Sequence, residues 1–379
     1  MDNLMFLVTM VVLMALAFDF TNGFHDTANA VAPSIASGAL SPKAAVGISA
    51  ACNFIGAFLS VEVAQTISGG IINESAGIQP EVVLAALTGA ISWNLITWLR
   101  GIPSSSSHAL YGGLIGATLV AVGTSGVNGG VVVAKILVPM IVAPFVAGAA
   151  SWFATRITDK IAKKGDEATN RRGYRAGQVA SAGLVSLAHG TNDAQKTMGV
   201  ITLTLVTAGQ LPSGSAPPTW VIAAAGLALA LGTYSGGWRI IKTMGKDITE
   251  LSDAQAASSQ TASAAVILAS SNLGFGLSTT QVCTGSVTGA GLGRKGGRVN
   301  WPMLRTMSAT WLITLPAAAV VGGVAELIVE QGLWGQLLAV AGTIAVGLYV
   351  RVAARRDKVT ADSLDATTTG SPAPAAQAA

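Results

Sequence analysis

Long apolar segments follow one another along almost the whole of this 379-residue sequence. A transmembrane helix needs about 20 consecutive, mostly apolar residues. Segments that fit this requirement are 4–20, 44–60, 131–153, 179–207, 219–237, 303–325 and 333–350. Charged residues make up only 11% of the chain, whereas a soluble domain carries roughly 25%. The sequence therefore predicts an all-α, multi-pass protein of the cell membrane, surrounded by the lipid bilayer.

Two further apolar regions, 82–122 and 260–292, are each interrupted near the middle. The interruptions at 101–108 and 274–281 are rich in Gly and in Ser or Thr, and the first also contains Pro103. Such clusters break helices, and inside a membrane a break persists only where protein or a wet cavity satisfies the freed backbone groups. We predict two re-entrant helical hairpins; two full spans in each region are the alternative.

The basic residues are concentrated in the loops between the apolar segments. They gather in segment 156–178, in the loops near 239–246 and 294–298, and after residue 350. The positive-inside rule makes these loops cytoplasmic, so we predict a cytoplasmic C-terminus. The net charge is only +4 and is spread over short loops, which argues against a nucleic-acid partner.

The sequence also resembles itself. The motif Gly23–Asn29 matches Gly190–Lys196 at an offset of 167 residues, and Ser105–His108 matches Ser278–Gln281 at an offset of 173. The matched blocks occur in the same order at nearly one offset, which indicates an internal duplication. Inverted repeats with broken helices are typical of secondary transporters, which bind substrate near the midplane between the repeats.

This duplication divides the chain into four predicted parts. Residues 1–155 form the first inverted transmembrane repeat, and residues 179–350 form the second. Between them, 156–178 is a basic cytoplasmic linker. Residues 351–379, rich in Ala, Thr and Pro towards their end, are predicted to form a disordered cytoplasmic tail.

Asp26 and Asp193 occupy matching positions after apolar runs. A carboxylate at the bilayer centre costs about 2.5–3.5 kcal/mol on insertion scales, and intramembrane acids mark cation sites or proton relays. Helix capping near the interface is the alternative interpretation. The polar neighbours favour the functional one, so we predict a site for cation or proton coupling composed of His25, Asp26, Asn29, Asn192, Asp193 and Lys196.

The hydroxyl-rich runs suit an anion. Each run precedes a helix, so it offers hydroxyls and free N–H groups at the positive end of a helix dipole. Plain helix capping is the alternative. We predict that a tetrahedral oxyanion bridges the two runs, at Ser104, Ser105, Ser106, Ser107, Ser278, Thr279 and Thr280. Arg100 precedes the first run, and either clamps the anion or pairs with a carboxylate.

Other classes of protein fit less well. Ser107 and His108 are adjacent, but adjacency in sequence is not the geometry of a catalytic pair, so we do not expect an enzyme. No pattern indicates a resident cofactor or metal ion. His189 and Met198 near Asp193 allow a divalent-cation carrier or channel, although the hydroxyl runs then lack a role.

These residues resemble the inorganic phosphate transporter (PiT) family, over nearly the whole chain to about residue 350. The resemblance rests on Phe18–Ala32, Pro103–His108, Gly190–Lys196 and Ser278–Gln281, all in order. It implies symport of inorganic phosphate with H⁺ or Na⁺, with Asp26 and Asn29 at one cation position, Asp193 at the other, and the hydroxyl runs at the phosphate site. Gln281 departs from the family pattern, which has His there.

Lys196 stands where sodium-coupled members of that family tend to carry Asn, and the repeat aligns it with Asn29. Its ammonium supplies the charge that Na⁺ would bring, so we predict proton coupling, closest to the proton-coupled low-affinity bacterial members. A divalent metal travelling as a phosphate complex and a homodimer are both compatible with the sequence. The alternatives are sodium coupling and a carrier of sulfate or another oxyanion.

Overall fold

The computed structural model describes residues 2–73, 76–162, 167–356 and 359–364. These residues are almost entirely helical, and no strand occurs among them. The helices are α1 (Asp2–Ala36), α2 (Pro42–Gly56), α3 (Glu62–Thr66), α4 (Pro80–Leu99), α5 (Ser106–Val122), α6 (Gly129–Val132), α7 (Val138–Ala162), α8 (Glu167–Thr207), α9 (Thr219–Ser235), α10 (Trp238–Lys242), α11 (Asp253–Asn272), α12 (Thr279–Gly293), α13 (Trp301–Val329) and α14 (Leu333–Ala354).

Within these ranges, six helical segments are long and apolar enough to cross a membrane, and a seventh is added if α9 and α10, bent by 65°, count as one span. This confirms an all-α, multi-pass membrane protein. The predicted breaks are also confirmed, because the chain leaves the helical path between Leu99 and Ser106 and again between Asn272 and Thr279.

Several helices differ in length from the apolar segments that predicted them. Helix α1 continues through the polar motif to Ala36, because that motif is buried against other helices and keeps its helical backbone. Helix α2 ends at Gly56, where the chain turns towards α3. The basic segment 156–178 is shared between the end of α7 and the start of α8.

The packing of the helices follows the internal duplication. Helix α1 packs on α9 as α8 packs on α2, and α5 packs on α13 as α12 packs on α7. The arms α4 and α5 pack together, as do α11 and α12. Exchanging the two halves therefore exchanges the contacts, which is the pattern expected of repeats related by a pseudo-twofold axis.

Matched glycines allow these helices to approach closely. A methyl group on Gly112 of α5 would collide with the Leu315 carbonyl of α13, and one on Gly285 of α12 would collide with the Pro144 carbonyl of α7. Small residues let membrane helices pack backbone to backbone. This packing fixes the N-terminal ends of α5 and α12 against the centre of the protein.

The predicted disordered tail, 351–379, is partly helical where the structure describes it, because α14 continues to Ala354. Residues 361–364 form one helical turn, and Leu364 is buried in an apolar cluster with Ile35 and Ile241. The rest of the predicted disordered tail, 365–379, lies outside the described residues.

Candidate functional site

The two repeats meet at their carboxylates. Asp26 in α1 and Asp193 in α8 are 1% and 0% exposed. Thr279, the first residue of α12, joins them, because its hydroxyl lies 3.4 Å from an oxygen of each carboxylate. The duplicated acids are therefore parts of one buried site between the repeats, and not two separate helix caps.

Asp26 is surrounded by hydroxyls and an imidazole. Ser106 donates a hydrogen bond to its Oδ2 at 2.9 Å, and Thr280 donates to its Oδ1 at 3.3 Å. The Nδ1 atom of His25 lies 2.7 Å from the same Oδ1. The hydroxyls come from the N-terminal ends of α5 and α12, so both predicted helix ends reach one carboxylate.

His25 connects this carboxylate to the first break. Its Nε2 atom lies 3.2 Å from the Ser104 hydroxyl and 3.4 Å from the Thr97 hydroxyl, and these two hydroxyls are 2.7 Å apart. Both ring nitrogens thus have polar partners, so the imidazole can pass charge or a proton between Asp26 and the break.

Asp193 has a different set of partners. The Lys196 ammonium donates to its Oδ1 at 2.5 Å, and Asn192 donates to the same oxygen at 2.7 Å. Asn22 of the other repeat donates to Oδ2 at 3.2 Å, while His189 Nε2 lies 3.1 Å from that oxygen. Lys196 and Asp193 are both fully buried, which makes the ammonium the counter-ion that the bilayer requires.

Some hydroxyls of the two runs cap helices, and others donate hydrogen bonds to the carboxylates of the site. Ser105 accepts a hydrogen bond from the His108 amide at 3.2 Å, and Ser278 accepts one from the Gln281 amide at 3.4 Å. Ser107 donates to the Leu277 carbonyl at 3.2 Å. The capping alternative is thus realised at Ser105 and Ser278, which leaves Ser106, Thr279 and Thr280 as the hydroxyls that face the carboxylates.

Asn29 and Lys196, which the repeat aligns, play different parts. Asn29 donates to the Thr280 hydroxyl at 3.0 Å and lies 3.5 Å from that of Thr279, so it holds the donors that serve Asp26. Lys196 contacts the carboxylate directly. The predicted difference between the two halves is therefore present in the geometry.

Arg100 does not join these residues. It is exposed at the C-terminal end of α4, whereas Ser104 to Ser107 are at most 1% exposed. After α4 ends, the chain turns so that Ser104 to Ser107 are buried, while the Arg100 guanidinium stays at the surface. The other predicted site residues all lie at or beside the cluster.

Two further residues lie in the site: Asn22, to which the motif analysis assigned no role, and His189, which it considered only for a divalent-cation carrier. The carboxylate oxygens of Asp26 and Asp193 and a ring nitrogen of His189 lie within 4.8 Å of one another. The repeat offset of 167 residues aligns Asn22 with His189. Extending the matched motif by one residue towards the N-terminus would have found the pair.

The arrangement is closed and nearly balanced in charge. The hydroxyls and carboxylates of the cluster are at most 4% exposed. Two carboxylates face one permanent ammonium, two imidazoles and the ends of two helices, each of which contributes about half a positive charge. An anion that entered this site would need a compensating positive charge, such as a proton or a cation.

Comparison with known proteins identifies the family of this chain. Residues 22–322 match the model of the phosphate transporter family. A probable low-affinity inorganic phosphate transporter of Mycobacterium bovis is 54% identical over 327 residues, which cover 85% of this chain and 77% of that protein. The corresponding Bacillus subtilis protein is 41% identical over 335 residues, covering 87% and 99%.

A solved structure, described as "The sodium-dependent phosphate transporter", has a similar fold. Its TM-score is 0.73 at 24% identity, and the match covers 86% of this chain and all of that one. At this level of identity the likeness concerns the fold alone.

Proposed function

Because this chain belongs to the phosphate transporter family, and is therefore a transporter and not an enzyme, we propose that it is a proton-coupled symporter of inorganic phosphate. The observation that carries the proposal is the sharing of donors. The hydroxyls suited to phosphate, on Ser106, Thr279 and Thr280, all donate to carboxylates. Anion site and cation site are thus one cluster.

This sharing gives a physical reason for coupling. Phosphate has to take hydroxyl donors that Asp26 now holds, and it does so beside that carboxylate. Two unit negative charges 4 Å apart repel by about 4 kcal/mol at an effective dielectric constant of 20. Phosphate therefore binds well only when a proton or cation neutralises the acid, which ties the two fluxes together.

The proton is favoured over sodium by Lys196. Its ammonium lies 2.5 Å from Asp193, in the space that a sodium ion at that acid would need. The coupling charge is left to Asp26, whose imidazole partner His25 can accept or donate a proton. Phosphate itself also exchanges a proton near neutral pH.

Three further features complete the proposal. The two repeats are inverted with respect to the membrane, and the basic loops and the C-terminus face the cytoplasm. The substrate includes phosphate as a complex with a divalent metal, since an uncharged complex reduces the repulsion from Asp26. The protein functions in the cell membrane, alone or as a homodimer.

Uptake of labelled phosphate into liposomes containing the purified protein tests the proposal. We expect accumulation under an inward proton gradient in sodium-free buffer, and none in protein-free liposomes. Accumulation that begins only when sodium is added would identify sodium as the coupling ion and contradict the proton. Absence of uptake under either gradient would contradict phosphate transport itself.

Competition separates the other substrates. Excess unlabelled sulfate should leave labelled phosphate uptake unchanged, whereas an oxyanion carrier of broad selectivity would be inhibited. A divalent-cation carrier would move the metal without phosphate. If the metal complex is transported, each component should enter faster in the presence of the other.

A further inference from the structure

Asp19 is a third buried acid, one that the proposed mechanism does not use. It lies on α1 one helical turn before Asn22, and Asn22 reaches across to Asp193. Residues three and four apart lie on one face of a helix, so Asp19 faces α8 just beyond the site. Its aligned partner in the second repeat is Ser186, so this acid is present in one repeat only.

The surroundings of Asp19 do not support a negative charge. The residue is 0% exposed, and neither carboxylate oxygen has a hydrogen-bond partner of normal geometry among the described residues. An ionised carboxylate in this position would have no contact with water and no hydrogen bond of normal geometry, which is very costly. A protonated carboxyl group avoids that cost.

The charged groups that act on Asp19 are Lys196 and Asp193, both on α8. The Thr197 and Asn22 side chains face it as well. Helix α9, which also packs along α1, carries no charged residue. Among the described residues, Lys196 is thus the lysine or arginine that acts on both carboxylates, and in this structure it is bound to Asp193 at 2.5 Å.

One ammonium can balance only one of these acids at a time. While Lys196 is paired with Asp193, a charge on Asp19 would leave the group with a net negative charge in a water-free region. We propose that Asp19 is a proton-binding site of the transport cycle, protonated in the closed state and ionised when the site opens and Lys196 turns to it.

The step involves one O–H bond. Asp19 takes a proton from water on the side from which phosphate enters, and returns it to water on the other side once that opening hydrates the carboxylate beside Lys196. The proposal rests on proton-coupled phosphate transport. It makes Asp19 a second proton carrier, near Asp193, besides the His25–Asp26 pair.

Asp19→Asn tests this, since the amide imitates the protonated acid in size and charge. Two transport modes are compared: exchange of labelled for unlabelled phosphate without a gradient, and accumulation driven by a proton gradient without sodium. We expect exchange within about twofold of wild type and loss of accumulation, with Asp19→Glu restoring accumulation. Ser186→Ala, the change at the aligned position of the other repeat, should retain both modes.

Infrared difference spectra of wild type and Asp19→Asn provide a readout independent of transport. A C=O stretch of a buried protonated carboxylic acid should be present in wild type and absent in the variant. Its presence in both, or absence from both, would overturn the proposal.

The transport outcomes are equally decisive. Normal accumulation by Asp19→Asn overturns the proposal, and so does loss of exchange together with accumulation in both the Asn and the Glu variants, which indicates a structural role. If wild type accumulates phosphate only with sodium, the coupling assigned above is wrong, and the infrared band alone then decides whether Asp19 binds a proton.

Discussion

Asp26 and Asp193 occupy equivalent positions on equivalent helices, α1 and α8, but the side chains around them differ. Asp26 is held by hydroxyls and by the imidazole of His25, a side chain that can carry a proton. Asp193 is held by the amides of Asn22 and Asn192 and by the permanent charge of Lys196. Duplication supplied two equivalent acids, and substitution of their neighbours made one adjustable and the other fixed.

The difference shows how one cluster can bind two unlike ions. The fixed half provides a charge balance that does not depend on the transported ions. The adjustable half exchanges its hydroxyl donors between its own carboxylate and the substrate. The predictions that follow change one half at a time, in order of decreasing expected effect.

Asp26→Asn should have the largest effect. The substitution removes the charge and replaces one carboxylate oxygen by an amide NH2, so neither Ser106 nor Thr280 donates to a charged oxygen and His25 loses its ionic partner. Each hydrogen bond to a charged group contributes about 1.5–3 kcal/mol, so two correspond to at least about a hundredfold. We expect proton-driven uptake to fall by more than that factor. Asp247→Asn, at an exposed position, is the control, and retained uptake in Asp26→Asn would contradict the role of this half.

Lys196→Asn makes the two halves alike, because it places the residue found at position 29 beside Asp193. Removing one partner of a buried ion pair costs about 3–5 kcal/mol. We expect uptake without sodium to drop about a hundredfold and added sodium to restore part of it. The assay is initial uptake against sodium concentration.

Lys242→Asn, at an exposed position, is the matched control for that change of charge. Uptake by Lys196→Asn that equals wild type without sodium would show that the ammonium does not balance Asp193. Loss that sodium fails to relieve would show that the space beside Asp193 does not accept the ion.

The double variant Ser106→Ala, Thr279→Ala removes one hydroxyl from each helix end. In this structure these hydroxyls donate to carboxylates, and in the proposed complex they donate to phosphate. The substitutions therefore remove hydrogen bonds from both states, and part of the expected loss of phosphate affinity cancels. We expect phosphate affinity to weaken about tenfold, at the low end of the range for bonds to charged groups. Isothermal titration with phosphate measures this directly.

Ser278→Ala is the control for the hydroxyl change, because Ser278 caps α12. It should lower stability by about 1 kcal/mol and leave affinity unchanged. The same affinity in the double variant and wild type would assign all these hydroxyls to capping.

Arg100→Gln should have the smallest effect. Its side chain is exposed outside the cluster, and exposed substitutions usually change energies by no more than about 0.5 kcal/mol. Phosphate affinity should stay within about twofold of wild type. A tenfold loss would mean that Arg100 moves into the site during transport.

The fold class and the composition of the candidate site could be predicted from the sequence. The apolar runs, the breaks and the matched motifs predicted an all-helical membrane protein with paired helix ends and paired acids, because helix length and breakage depend on local residues. Lys196 opposite Asn29 predicted unequal halves, since aligned positions with different charges cannot have the same partners.

The sequence did not predict which side chains of different helices contact one another. Asn22 is four residues from Asp26 on the same helix, yet it donates to Asp193 on the other repeat. Arg100 is adjacent to the break but lies outside it, and the hydroxyls predicted to be free for an anion are bonded to carboxylates. These contacts depend on how α1 crosses α8 and how α5 and α12 approach them. The packing of helices that are distant in sequence decides this geometry, and no local pattern contains it.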